Sequence, residues 1–382
     1  MTAPSPVEGQ IELAVTWDGS AVTQASVFSN RPRLTPMFRD LPVADVVQRI
    51  PLLFSLCGEA QAVAANALQQ LLQEGQIAED TVAEFAGRIR LEIVREHLWR
   101  LALDWMPLVG LEPVMSELRQ LMTGKERFLA DPGELQAWGI GVQEAFFGGQ
   151  TGVILPSAIA DGKGPVRFLD PVWLQSSSAS LAELARRLDP ELRGLGLAPI
   201  RPASTLDLPM FLATVEAEMM RDPDFAAYPH WFGEPLEMGP LARMCAAFGA
   251  SGESTGGRFV VDAFSRFSAR VAELFMLLAD MVQGKMEPLA IAWSRGEHSA
   301  VVALEMARGI LVHRVEVLHG KVVTYGIVAP TEWNFHPRGS LQAGLLRSQL
   351  PVSSSSVLER AIRQQVMALD PCVRYSLEIR HA

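Results

Sequence analysis

The apolar residues of this chain change period twice, and that change restricts the possible fold more than any other feature. QIELAVTWDGSAVTQASVFS alternates apolar and polar residues on both sides of Asp18-Gly19, a dipeptide that tolerates the positive φ of a tight turn. The pattern predicts a β-hairpin over residues 10–28. From Val43 the spacing becomes helical, first in GEAQAVAANALQQLLQEG, with Gly75 as a C-cap, and then in EDTVAEFAGRIRLEIVREHLWRLALDWM. Helical pieces joined by punctuated loops continue to a helix near 259–283, with GKGPVRFLDP and GLGLAPIRPAS among the loops. The period of two then returns in LAIAWS and in GILVHRVEVLHGKVVTYGIVAP, where His319-Gly320 is placed at a hairpin turn. A last helix is expected at about 354–368. The fold class is therefore α+β, read as one domain over 1–382. Its parts are an N-terminal β-hairpin within 1–30, a mainly helical core over 43–284, a β segment over 288–330, and a C-terminal helix with a cysteine tail over 331–382.

A chain of 382 residues with 49% apolar and 20% charged residues can bury a sizeable core. The net charge is −10, and no basic run or stripe offers phosphates a footprint, so nucleic acid is not an expected partner. The N-terminus MTAPSPVEGQ lacks the basic and apolar regions of a secretory signal, and the run VAELFMLLADMV is interrupted by Glu273 and Asp280. A cytoplasmic protein with no membrane partner is the expectation.

Three cysteines, Cys57, Cys245 and Cys372, are too few and too scattered for a secreted disulfide framework. Cys245, on the helix-like LARMCAAFG, is expected in the core. Cys57 precedes a helix, whose N-terminus favours a thiolate, while Cys372 follows one. Spacing alone supplies no Cys-x-x-Cys and no His-x-x-x-His, so it does not decide between packing and metal binding for these two. His313, His319 and His336 lack ligand spacing and are assigned turn, edge or core roles.

The terminal LDPCVRYSLEIRHA carries more information once it is set beside earlier segments. Asp370-Pro371-Cys372 resembles the Asp-Pro-Cys-x-x-Cys-x-x-His ending of nickel–iron hydrogenase large subunits, with Tyr375 at the second cysteine and Glu378 at the histidine. VEGQIELAV resembles the family's N-terminal strand and puts Glu8 at a metal-ligating glutamate. QRIPLLFSLCGEAQAVAANAL resembles its Arg-Ile-Cys-Gly-Val-Cys segment. EMGPLARM, SRFSARVAE, EMARGILVH and YGIVAPTEWNFHPRG are similar to further family segments in the same order. Counting back from Ala60, Ala62, Ala64 and Ala65 puts Cys57 at the second cysteine of the family pair and Phe54 at the first. Counting from Gln48-Arg49-Ile50 requires three extra residues. Either way one thiol of two remains, and Gln61 stands where the family usually has histidine.

The resemblance implies a large-subunit-like fold with half of its metal ligands missing. The complete family site gives nickel four thiolates, two of which also bridge to an iron carrying cyanide and carbon monoxide. With only two thiols left, nickel catalysis is not expected. Two thiolates still suffice for the Fe(CN)2CO fragment, whose diatomic ligands already fill three positions. Arg308 and Thr331 occupy the places of the family's cyanide-binding arginine and hydroxyl, and both are donors suited to a cyanide nitrogen. Ala307 replaces the proline before that arginine. This combination is similar to the HupK/HoxV type of hydrogenase assembly protein. The implied role is a non-enzymatic scaffold or chaperone that takes Fe(CN)2CO as transient cargo, with a HypC-type chaperone and the hydrogenase large subunit as partners. Two other readings stand beside it, a metal-free structural partner of hydrogenase subunits or maturation proteins and a diverged hydrogenase-like oxidoreductase. Because the chain stops at Ala382, the C-terminal cleavage of the family enzymes is not expected.

Overall fold

A computed structural model describes residues 9–33, 35–54, 56–150, 152–159, 165–248, 258–285, 290–347 and 354–382. Strands β1 (Ile11–Trp17) and β2 (Val22–Ser29) form the expected hairpin. The Asp18 carboxylate closes its turn by accepting from the backbone N–H groups of Ser20 and Ala21, both at 2.8 Å, and Gly19 supplies φ +97°. Alternate residues Ile11, Leu13, Val15 and Trp17 are buried, as a one-faced strand requires.

The helix Gly58–Glu74 follows, closed by Gly75 in the left-handed region. Ala60, Ala64 and Ala67 keep one face small, and it packs in one core with Val302, Leu304 and Leu311 of the large sheet. The helix Glu79–Trp99 runs directly into a π-helical turn at Arg100–Trp105. Such turns displace side chains from the α-helical register and recur at functional sites.

Short strands punctuate the helical middle, β3 (Ile154–Ile159) with β4 (Arg167–Leu169), and β5 (Ala198–Ile200) with β6 (Phe259–Val261). Both pairs include residues that the sequence assigns to loops. The helix Ala263–Val282 starts after β6, not within it. Asp262 caps it in a reciprocal pairing with Ser265 and is held by Arg167 at 2.8 Å. Its first three turns are buried on all sides and carry Arg266, Arg270 and Glu273 through the largest core.

The β segment is an antiparallel sheet in the order β10-β9-β8-β7, made of β7 (Ile291–Arg295), β8 (Ser299–Met306), β9 (Gly309–Leu318) and β10 (Lys321–Val328). Its β9–β10 turn is the expected His319-Gly320, with φ +51° and +75°, a two-residue loop whose handedness matches strand twist. At the other end Met306 pairs with Gly309, so Ala307-Arg308 form the tip of the β8–β9 hairpin. The C-terminal helix Ser355–Leu369 ends at Asp370, at φ +58°. After Cys372 the chain forms β11 (Tyr375–His381), which pairs in parallel with β1 over seven residues. The tail thus returns to the N-terminal hairpin, a strand the sequence reading leaves unassigned.

Candidate functional site

Cys57 occupies the N-cap position of the helix Gly58–Glu74 and is buried. The expected thiolate-favouring effect of that helix end is not realised. Glu92, from the neighbouring helix, accepts the backbone N–H groups of Glu59 and Ala60 at 2.9 and 3.2 Å, so the donors that would face the sulfur are already taken. Burial raises the Cys57 thiol far above its ordinary value, with Cys372 and Glu92 adding to the rise and Arg308 and Arg31 opposing it. Gln61 Nε2 faces the Cys57 sulfur at 3.8 Å.

Cys372 is placed by the residues before it. Asp370 is buried, and its carboxylate lies 2.5 Å from Arg100 Nε, 3.3 Å from Arg308 Nη2 and 3.4 Å from Arg270 Nη2. Burial alone would raise this carboxyl, but the three guanidiniums outweigh it and hold it well below the usual carboxylate range. Arg100 Nη2 also donates to the carbonyl oxygen of Pro371 at 2.6 Å, so the π-helical turn holds the residue next to the cysteine. Cys372 itself is half-buried. Thr331 Oγ1, from the short helix Pro330–Asn334, lies 3.5 Å from its sulfur. Arg31 Nη2 donates to the same sulfur.

The structure brings Cys57, Cys372, Arg308 and Thr331 to one region. Both cysteines line a single cavity of about 690 Å³, together with Phe54, Arg31, Glu332 and Tyr325. Arg308 reaches inward from the β8–β9 tip. Its Nη2 pairs with Glu96 at 2.9 Å and its Nε donates to the Asp370 carbonyl oxygen at 3.1 Å. Its Nη1 is buried without a hydrogen-bond partner among the described residues. An orphaned buried donor is costly, and here it sits on the side chain whose positive charge opposes the rise of the Cys57 thiol. Glu8 lies outside the described residues. Among the described residues no three His, Cys, Asp or Glu side chains are grouped to hold a metal ion; Cys57 and Cys372 are the two thiols that line the cavity. A bound group with its own accepting ends fits the donor set, because the Thr331 hydroxyl lies against Cys372 and Arg308 Nη1 is a buried donor without a partner among the described residues.

The positions where the family's other ligands would stand are filled differently. Tyr375 begins β11, with its hydroxyl 3.3 Å from Arg363 Nη1, and Glu378 is exposed and paired with Arg380 at 2.8 Å. Ala307 is buried, and its carbonyl accepts from Arg243 at 3.0 Å. Cys245 is in the core, where burial pushes its thiol up to about 12. His313 and His336 are buried and His319 forms the turn.

Several residues of the site went unnoticed in the sequence. Arg31 leaves β2 between Asn30 and Pro32 and carries no local signal. It is held by Glu332 at 3.3 Å, which in turn accepts from Ser29 Oγ at 3.2 Å. Glu92 and Glu96 are buried and Arg100 half-buried on helices, and no periodicity flags them. Arg270 lies inside the SRFSARVAE segment and could have been found there. Among the described residues no helix is long and apolar enough to cross a membrane.

Comparison with known proteins gives the family and the fold. Residues 280–375 match the nickel-dependent hydrogenase family. The chain is 30% identical to the hydrogenase expression/formation protein HoxV of Cupriavidus necator, over 92% of each chain. It is also 30% identical to the hydrogenase expression/formation protein HupK of Azotobacter vinelandii, again over 92% of each. Among solved structures, the reduced, active nickel–iron–selenium hydrogenase of Desulfomicrobium baculatum superposes with a TM-score of 0.56 and 13% identity, covering 94% of this chain and 95% of that one. The α+β fold is that of a hydrogenase large subunit, and the chain belongs to the HoxV/HupK family of hydrogenase expression/formation proteins.

Proposed function

We propose that this protein is a scaffold in nickel–iron hydrogenase maturation that holds the Fe(CN)2CO unit between Cys57 and Cys372 and passes it on toward the hydrogenase large subunit. A role in hydrogenase maturation or assembly follows from the family. The finer reading is carried by one observation, two thiols that share a cavity and are coupled electrostatically to Arg308, whose buried Nη1 has no partner among the described residues. A hydrogen-bond-accepting ligand brought in with the iron would satisfy that donor. The Thr331 hydroxyl is a second donor next to Cys372. Two thiolates and three diatomic ligands leave one position of an octahedral iron open, so the cargo needs no further protein ligand. Burial keeps Cys57 a thiol, so binding a metal fragment through its sulfur must release that proton. That requirement suits a transient holder, because reprotonation favours release. A HypC-type chaperone is the proposed donor partner.

The test is metal analysis and infrared spectroscopy of protein made anaerobically with the hydrogenase maturation proteins. Iron without nickel is expected, with cyanide and carbonyl bands and no hydrogen turnover. A protein that never carries iron under those conditions would instead be a metal-free docking partner. Nickel-dependent hydrogen turnover lost on mutating Cys57 would make it an oxidoreductase.

A further inference from the structure

Cys57 is the end of a chain of buried polar groups that no ligand role explains. Gln61 Nε2 faces the sulfur at 3.8 Å, and Gln61 Oε1 lies 2.8 Å from His313 Nε2. His313 Nδ1 lies 2.8 Å from the Tyr325 hydroxyl. All three side chains are buried. They come from different elements, the helix after Cys57 and strands β9 and β10, so nothing local requires them to align.

The direction of each hydrogen bond follows from the others. Gln61 Oε1 can only accept, so His313 Nε2 must carry a hydrogen. Burial lowers the His313 pKa to about 3, so the ring is neutral and Nδ1 is an acceptor. The Tyr325 hydroxyl therefore donates to it, and burial raises that hydroxyl well above its usual pKa, which keeps it protonated. Every bond points toward the sulfur.

We propose that Tyr325 and His313 are positioning residues that act through Gln61, fixing its amide so that an N–H and not the carbonyl oxygen meets Cys57. Without the relay a buried amide can rotate by half a turn and present its oxygen to the sulfur. An N–H facing a thiolate ligand withdraws charge from it and so tunes the metal it binds. This inference rests on the proposed cargo site for its effect on iron, and on the hydrogen bonds alone for its effect on His313.

Two measurements separate those two levels. In the metal-free protein, selective 15N-histidine NMR should find His313 as the Nε2–H tautomer, and Tyr325→Phe should abolish that preference. In protein loaded with Fe(CN)2CO, Gln61→Leu should shift the carbonyl stretch to lower wavenumber, because the thiolate then donates more charge to the iron. Tyr325→Phe, which keeps the ring and the packing, should produce a smaller shift in the same direction, and Cys245→Ser none. An Nδ1–H tautomer, or carbonyl bands that Gln61→Leu and Tyr325→Phe leave unmoved, would overturn the inference. If the wild type takes up no iron, the cargo reading fails and the tautomer with its Tyr325→Phe response decides the relay alone.

Discussion

Arg308 Nε donates to the backbone oxygen of Asp370 at 3.1 Å, and Nη2 reaches that residue's carboxylate at 3.3 Å. One side chain thereby joins the β8–β9 tip to the end of the C-terminal helix, two residues before Cys372. Arg100 and Arg270 converge on the same carboxylate, so Asp370 is the anion that three cations share, two of them, Arg270 and Arg308, fully buried. Asp370→Asn keeps the shape and removes the charge. It should cost about 3–5 kcal/mol, the usual consequence of breaking a buried ion pair from one side, read by urea denaturation at pH 7. The Asp370 carboxyl is depressed in the folded state, so its contribution is present above the unfolded value of about 3.9 and is lost as pH falls through the lower folded value. The variant should lack that acid-side loss. A cost below about 1 kcal/mol, typical of an exposed pair, would show that the cluster does not anchor the tail.

Glu92 gives the opposite dependence on pH. Burial raises its carboxyl to about 7, against the attraction of Arg95. Between an unfolded value of about 4.3 and this folded one, the native state binds a proton that the unfolded chain does not. Its contribution to stability should therefore fall as pH rises through that window. Glu92→Gln removes the titration while leaving an oxygen for the Glu59 and Ala60 N–H groups. The stability of the wild type relative to this variant should drop by on the order of 3 kcal/mol from pH 4.5 to 7.5. A difference that stays flat with pH would mean that the carboxyl does not titrate there.

Arg308 reaches its partners only because the chain turns sharply after it. Gly309 has φ +126°, and a Cβ there would lie 2.3 Å from Met238 Cβ and 3.2 Å from Pro330 Cβ. Gly309→Ala combines a disfavoured backbone with an overlap that cannot be relieved without moving the Met238-Gly239 segment packed against the β8–β9 tip. A loss of about 2–5 kcal/mol is expected. Gly320 provides the control, since it also has positive φ but nothing within 4 Å of a built Cβ, so Gly320→Ala should cost about 1 kcal/mol. Equal losses in thermal or urea unfolding would refute the crowding argument.

What could be seen in the sequence was what neighbouring residues determine. The period of the apolar residues located both hairpins and the long helices, and Asp18-Gly19, Gly75 and His319-Gly320 marked their ends by local conformational preference. β11 escaped because its partner β1 lies at the other end of the chain and pairs in parallel, without a turn to announce it. The expectation of a favoured thiolate at Cys57 failed for a similar reason, since Glu92 arrives from another helix to take the N-terminal donors. Arg308 and Thr331 are singled out by resemblance to a family, not by spacing. His313 was assigned a bland place in a strand, and its hydrogen bond to Gln61 crosses from sheet to helix. Arg31 meets Cys372 only in three dimensions.

Thr331 offers a direct test of the donors around the proposed cargo. Thr331→Val keeps the branched shape and removes the hydroxyl that lies 3.5 Å from the Cys372 sulfur. Because one hydrogen bond is lost and no charge is stranded, stability should change by only about 1 kcal/mol. Iron content after anaerobic co-production should fall, or the cyanide bands should shift, relative to wild type. Full occupancy with unchanged bands would remove Thr331 from the site.

The two thiols carry the sharpest prediction. Cys57 and Cys372 line one cavity and each adds a sulfur, whereas Cys245 is buried in a separate core. A serine hydroxyl at neutral pH is a poor ligand for an iron that selects soft thiolate. Cys57→Ser and Cys372→Ser should therefore each lose iron and its cyanide and carbonyl bands, while Cys245→Ser keeps them. All three variants should remain folded, because the new hydroxyl is nearly the size of the thiol. At Cys57 it still faces Gln61 Nε2, and at Cys372 it still faces Arg31 and Thr331. Circular dichroism and urea midpoints check that condition, so a lost spectrum cannot be ascribed to unfolding. Retention of full band intensity in either single variant would show that its sulfur is not a required ligand and that one thiol carries the cargo alone.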